Sequence, residues 1–276
     1  MKKILVPTDF SECARAAENM GIEIAKKANG EIHFLHSINT PVDWVKIPLE
    51  KEQLYPETKA HIAHANKELD ELLKRVEKMG LKAKKNLVYN KGPAEINHHI
   101  DQYGLDLIVM GSHGTKGFKE IIGSNTQKIV RYSQIPVLVI KKVPEKMDIE
   151  NIIFASTFEE DIDKPLAKIV EFADLMKAKI HLLYVNVPYH FKETEEVESS
   201  MQAYKERCSV TGCSMNIYNA LYEERGIEKF AQSTNADLIA LTTHGRIGFM
   251  KMISHSIAEN LANHSELPVL ILNIHI

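Results

Sequence analysis

The residues best suited to chemistry lie between Leu107 and Val130, LIVMGSHGTKGFKEIIGSNTQKIV. An apolar run from Leu107 to Met110 leads into Gly111-Ser112-His113-Gly114, and Gly123-Ser124-Asn125-Thr126 then opens a helical pattern. That order reads as strand, glycine-rich turn and helix start. It suits a phosphate, because glycine lets the backbone come close and the first N–H groups of a helix face an anion. A second group, Pro7-Thr8-Asp9, follows the apolar run Ile4-Leu5-Val6 and adds a carboxylate. An altered copy of the glycine stretch lies at Leu238 to Ala262.

Other constellations are weaker. There are thirteen histidines, with His61 and His64 at helical spacing and His98 beside His99. No set of carboxylates or cysteines completes a metal site around them, so they read as solvated helix residues. His113 recurs as His244 in both copies, which points to hydrogen bonding within the turn. Cys208 and Cys213 have no second pair to form a zinc site, and three cysteines are too few for a disulfide framework. Reduced thiols in a cytoplasm are expected. Trp44, with Ile47 and Leu49, reads as a loop packed on its own domain, and the acidic run Glu193 to Glu198 as a solvated segment. No nucleophile–base pair of the serine or cysteine type is evident, and no carboxylate is placed for phosphoryl transfer, so efficient turnover is not expected.

The elements that must position these groups follow from the pattern. Strands are expected at Ile4 to Val6, Ile32 to His36, Ala83 to Tyr89, Leu107 to Met110 and Pro136 to Ile140. Helical spacing links Ala14, Ala17, Gly21, Ile24 and Ala28, with Ser11 as N-cap and Asn29-Gly30 as stop. A long charged helix is expected from Thr58 to Lys78. The pattern then restarts. At an offset of 148, Ile152-Ile153-Phe154 repeats Ile4-Leu5-Val6, Phe158 repeats Phe10, and Ile180 to Leu183 repeats Ile32 to Leu35. At 131, Asp237-Leu238-Ile239 and His244-Gly245 repeat Asp106-Leu107-Ile108 and His113-Gly114. At 132, Pro268 to Leu272 repeats Pro136 to Ile140.

The expected fold class is therefore α/β, two tandem Rossmann-like doubly wound domains at 1–144 and 148–276, each a parallel sheet covered by helices on both faces. Such sheets bind ligands at the carboxyl ends of their strands, where the strand order reverses. The length of 276 residues suits two domains, 44% hydrophobic and 26% charged residues suit a soluble globular chain, and a net charge of −3 gives no reason to expect nucleic acid. No apolar run approaches the ~20 residues of a membrane span. The opening MKKILVPTDF is not expected to be a signal peptide, since Asp9 interrupts its apolar stretch.

KKILVPTDFS, IHFLHSI, DLIVMGSHGTKGFKEIIGSNTQKIV and the terminal PVLVI resemble the universal stress protein family over nearly the whole chain. The resemblance implies strand order 3-2-1-4-5 in each domain and ATP or AMP, with or without Mg2+, as cofactor. Nucleotide-binding members carry glycine, two residues, glycine, nine residues, then glycine with serine or threonine. Gly111, Gly114, Gly123 and Ser124 match, with eight residues between Gly114 and Gly123. By this resemblance Asp9 meets ribose or adenine, with Pro7 and Thr8 shaping its turn. Ser37 contacts adenine through its backbone, Met110 and Gly111 line the sugar and phosphate side, Gly114 admits the phosphates, and Ser124 and Asn125 bind phosphate oxygens.

In the second copy Ala155, Thr157 and Thr242 replace Pro7, Asp9 and Gly111, and His255 stands at the second-loop glycine. That domain is expected to be a fold without a nucleotide site. The expected function is a non-catalytic, nucleotide-binding stress-response regulator. The alternatives are an interaction protein of the same fold that binds no nucleotide, or a slow ATP hydrolase. The family further implies pairing of domains through their fifth strands. Here that gives an intramolecular pseudo-dimer of Val137 to Ile140 with Val269 to Leu272, compatible with a homodimer of chains.

Overall fold

A computed structural model describes the chain apart from residues 91–93, 114–122, 144–145, 160, 209–211, 244–251 and 275–276. The first half runs β1 (Lys3–Pro7), α1 (Glu12–Ala28), β2 (Glu31–Ile38), α2 (Pro56–Lys78), β3 (Lys82–Tyr89), α3 (Ala94–Tyr103), β4 (Leu107–Gly111), α4 (Ser124–Tyr132) and β5 (Val137–Ile140). The second half runs β6 (Asn151–Ala155), α5 (Asp163–Met176), β7 (Lys179–Asn186), α6 (Thr194–Lys205), β8 (Cys213–Asn219), α7 (Glu223–Ser233), β9 (Leu238–Thr243), α8 (Met252–His264) and β10 (Val269–Asn273). Each half is thus a doubly wound α/β unit, as the sequence predicts.

The ten strands form one sheet in the order β3-β2-β1-β4-β5-β10-β9-β6-β7-β8. Within each half all pairings are parallel and the order is 3-2-1-4-5. The halves meet at β5 and β10, which pair antiparallel with Leu138 opposite Leu270 and Val139 opposite Val269. Strand residues alternate between two apolar layers, because successive side chains point to opposite faces. Ile4 and Val6 join Met20, Leu69, Phe172 and Met201 on one face, under α1, α2, α5 and α6. Leu5 and Ile108 join Ile96, Ile129, Phe230 and Leu261 on the other, under α3, α4, α7 and α8. Both layers run across the two halves, so the core is shared rather than split at the connection.

Local devices repeat as well. Asp106 accepts the N–H groups of Lys2 and Lys3 at 2.8 and 2.9 Å, and Asp237 accepts those of Glu150 and Asn151 at 2.9 Å. Each carboxylate fixes the entry of a first strand beside a fourth. Phe10 and Phe158 both hold positive φ, 63° and 57°, immediately after β1 and β6. The Phe10 N–H donates to Thr8 Oγ1 and that of Phe158 to Ser156 Oγ, at 3.0 and 3.1 Å, which supports the unusual backbone by an ST-type turn.

One expectation needs correction. Cys208 and Cys213 are joined as a disulfide with Cα atoms 5.8 Å apart, and only Cys13 is a free, buried thiol. The spacing alone did not reveal that a residue just past α6 and the first residue of β8 lie within bonding distance. The acidic run opens α6, its glutamates exposed while Val197 and Met201 reach the core. Among the described residues no helix is long and apolar enough to cross a membrane.

Candidate functional site

β1 and β4 are neighbours, with Ile4 beside Leu107 and Leu5 beside Ile108, whereas β2 and β3 lie on the other side of β1. The strand order therefore reverses between β1 and β4, and their carboxyl ends open one crevice. Continuing the register brings Thr8 level with Gly111.

Pro7 ends β1, half-buried. Thr8 is buried and turned inward: its N–H donates to the Leu35 carbonyl at 2.9 Å, and its hydroxyl to Glu18 Oε1 at 2.6 Å. Glu18 stands on α1, 2% exposed. Burial pushes its carboxyl up, against the Thr8 hydrogen bond and the Arg75 guanidinium. Asp9 is half-buried at the mouth, where Oδ1 accepts the Ser11 N–H at 3.1 Å, and Ser11 in turn caps α1 through the Ala14 N–H. Beside it His36 stacks on Phe10, with ring centroids 4.7 Å apart, and its Nδ1–H donates to the Thr8 carbonyl at 2.7 Å. Burial holds this imidazole below its ordinary range. Ser37 is exposed on β2 opposite Val88.

Met110 packs in the core with its side chain on the α4 face, so only its backbone can line a crevice. Gly111 has a packing reason of its own. A Cβ there would lie 3.0 Å from the Cys13 carbonyl carbon and 3.1 Å from its oxygen. Its bare side thus faces α1. The offset of 148 carries Glu12 to 160 and Ala28 to Met176, yet α5 ends at Met176 and begins only at Asp163. Among the described residues, α5 therefore has no helical turn at the positions that match the start of α1.

Gly114 lies outside the described residues, as do Lys116, Lys119, Gly245 and His244. The ends of the glycine loop are nevertheless fastened together. The Gly123 N–H donates to the Ser112 carbonyl at 2.8 Å, and the Thr126 hydroxyl to the Gly111 carbonyl at 3.1 Å. Ser112 Oγ lies 3.0 Å from His113 Nδ1, a bond within the turn. α4 consequently starts at the carboxyl end of β4, with Ser124 and the exposed Asn125 in its first turn. Gly123 has φ −62° and ψ 141°, which any residue adopts, and the nearest described atoms to a Cβ there are 3.6 Å away. Among the described residues, nothing in the packing demands a glycine at this position. Glu18, Cys13 and Thr126 were not legible as part of this neighbourhood, because only the fold brings them to it.

The second crevice is built differently. The Asn186 side-chain amide exchanges two hydrogen bonds with the Lys192 backbone, at 3.0 and 3.1 Å. The Lys192 ammonium reaches Glu159, after β6, at 2.6 Å, and Glu196 at 2.7 Å. These carboxylates raise its pKa and hold it charged. The connection after β7 is thereby strapped across to the β6–α5 loop. In the first half the corresponding connection is tied away from β1, to Asn90 at the end of β3, through Thr40 and Val42. Its Trp44 packs edge-on against Tyr55 of the same connection, ring centroids 6.3 Å apart.

Sheet order and reversal point define a tandem, doubly wound α/β protein with a crevice where the strand order reverses. The chain belongs to the universal stress protein family, whose model matches residues 1–141 and 223–273. Two universal stress proteins of Methanocaldococcus jannaschii are similar to it. One is 31% identical over 154 residues, covering 51% of this chain and 95% of that protein. The other is 32% identical over 151 residues, covering 52% and 84%. The crystal structure of a universal stress protein from Archaeoglobus fulgidus is similar over 99% of this chain and 98% of that one, with TM-score 0.77 and 21% identity, which bears on the fold alone.

Proposed function

We propose that this chain is a non-catalytic stress-response regulator that binds one adenine nucleotide, ATP or AMP, in the crevice of its N-terminal domain. The domains are assigned to 1–144 and 148–276. Pro7, Thr8 and Asp9 shape the ribose and adenine side, with the Ser37 backbone. Met110, Gly111, Gly114, Gly123, Ser124 and Asn125 form the phosphate side.

The observation that carries this reading is Gly123. Its backbone conformation and its described surroundings would accept a side chain, yet a glycine stands at a helix start, where a Cβ would hinder an approaching phosphate. The strap from Asn186 through Lys192 to Glu159 supports one site per chain, because it ties the loop after β7 to the loop after β6 at the carboxyl ends of those strands. The antiparallel β5–β10 pairing supports the reading of the two domains as an intramolecular pseudo-dimer.

Calorimetric titration with ATP, and separately with AMP, is expected to give about one site per chain. Two equal sites, or none, would reject the proposal. The competing reading is an interaction protein of the same fold that binds no nucleotide, and it draws on the packing reason found for Gly111. Thermal stability unchanged by saturating ATP, AMP and Mg2+ would favour it.

A further inference from the structure

We propose that Cys208 and Cys213 form a reversible redox site, a disulfide that a dithiol reductant opens and that sets the order of the sheet's outer strand β8. Three observations meet here. The Cα separation of 5.8 Å lies in the middle of the range that a disulfide spans without moving the backbone. Both cysteines are only partly buried against the core, so a reductant has access that it lacks at buried Cys13. The bond joins Cys208, just past the end of α6, to Cys213, the first residue of β8, an edge strand of the sheet.

What the bond secures follows from the topology. β8 has one strand neighbour, β7, and its side chains are half-buried or exposed along its length. Its entry carries Gly212 at φ 82°, whose carbonyl accepts the Ile180 N–H at 3.4 Å, a weak closing contact for the ladder. Immediately before Cys208, Arg207 pairs with Asp163 at the start of α5, and Tyr204 packs on Phe158 with ring centroids 5.8 Å apart. One end of the crosslink is therefore seated on the α5 entry, and the other end is the start of an edge strand. Opening it leaves β8 held by its pairing with β7 and by packing under α6 and α7, including Tyr218 against Phe230.

The chemistry balances with a dithiol as co-reactant. A thiolate of the reductant attacks one sulfur of the pair, forming a mixed disulfide and releasing the other as a thiolate that takes up a proton. The second thiol of the reductant then displaces the protein sulfur and closes its own disulfide. Two electrons and two protons pass to Cys208 and Cys213, and the reductant leaves oxidised.

The test uses the full chain equilibrated in dithiothreitol buffers from fully reduced to fully oxidised. Thiols are counted by alkylation and mass spectrometry after denaturation, and amide hydrogen exchange is followed on β8. In oxidised buffer one thiol, Cys13, is expected to alkylate, and in reduced buffer three. Exchange along β8 should be faster in the reduced form by about thirtyfold, the factor that loop-closure entropy gives for so short a crosslinked segment. The double variant C208S/C213S should exchange like the reduced protein in every buffer. Three thiols in all buffers, or β8 exchange independent of redox state, would overturn the proposal.

Discussion

Replacing Gly111 by alanine separates packing from ligand contact. The added Cβ would lie 3.0 Å from the Cys13 carbonyl carbon, 3.1 Å from its oxygen and 3.1 Å from its sulfur. Relaxed carbon contacts lie near 3.5–4.0 Å, so β4 and α1 must part by roughly 0.5 Å. The helix cannot yield freely at this point. Cys13 Sγ donates to the carbonyls of Ile140 and Lys141 at 3.0 and 3.2 Å, and the Ser11 cap fixes the turn before it. Overpacking of this kind costs about 1–3 kcal/mol. At about 2–4 °C per kcal/mol for a chain of this size class, Tm should fall by several degrees. Thr242→Gly removes a side chain at a position that α5, beginning only at Asp163, does not match with the helical start that crowds Gly111, and its effect should stay within about 1 kcal/mol. Gly123→Ser is the counterpart. Serine suits an N-cap and the position has room, so stability should change by at most a few tenths of a kcal/mol, about the difference between glycine and serine caps. The proposed phosphate contact should nevertheless weaken ATP binding at least tenfold. Thermal and urea unfolding, with ATP titration of each folded variant, read both effects. A wild-type Tm in Gly111→Ala would refute the packing argument, and wild-type ATP affinity in Gly123→Ser would refute the ligand argument.

Removing the strand clamps singly, Asp106→Ala and Asp237→Ala, should each cost about 1 kcal/mol by stranding two backbone N–H groups, and the double variant should cost their sum; urea midpoints check this. Glu18 has a raised pKa in the fold, so its contribution is favourable below its ordinary value of 4.5 and is lost as pH rises through the folded pKa. Glu18→Gln should gain stability relative to wild type between pH 4.5 and pH 7, and an unchanged difference in melting temperature would contradict this. His36 has the opposite sign: its lowered pKa favours the fold above its ordinary 6.5, and that contribution is lost as pH falls through the folded value. His36→Gln should therefore lose less stability than wild type between pH 7.5 and pH 5, measured by thermal melts in parallel.

The fold was legible because the chain states it twice. Ile4-Leu5-Val6 and Ile152-Ile153-Phe154 are too apolar for a sheet with a solvated face, and the recurring Asp106 and Asp237 mark where first and fourth strands meet. The crevice was legible in its backbone-rich parts, the turns after β1 and β4, since glycine, proline and Asp9 declare themselves by type. Side-chain direction was not legible. Thr8 faces Glu18 rather than the crevice, Met110 faces α4, and Gly111 is bare for the sake of α1. Each depends on which helix covers which face, and local spacing does not encode that. The Cys208–Cys213 bond was hidden for a related reason: the proximity of the end of α6 to the start of β8 belongs to the crossover's path, not to the composition of its loop.

The antiparallel seam between β5 and β10 lies within a single polypeptide. Two separate copies joined by such a seam would come apart on dilution. A covalent link instead supplies the partner strand at an effective concentration on the order of millimolar, whatever the amount of protein in the cell. One half can then lose residues of its own crevice while still completing the sheet of the other. The seam therefore holds at any protein concentration, and neither half relies on the crevice of the other for its partner strand.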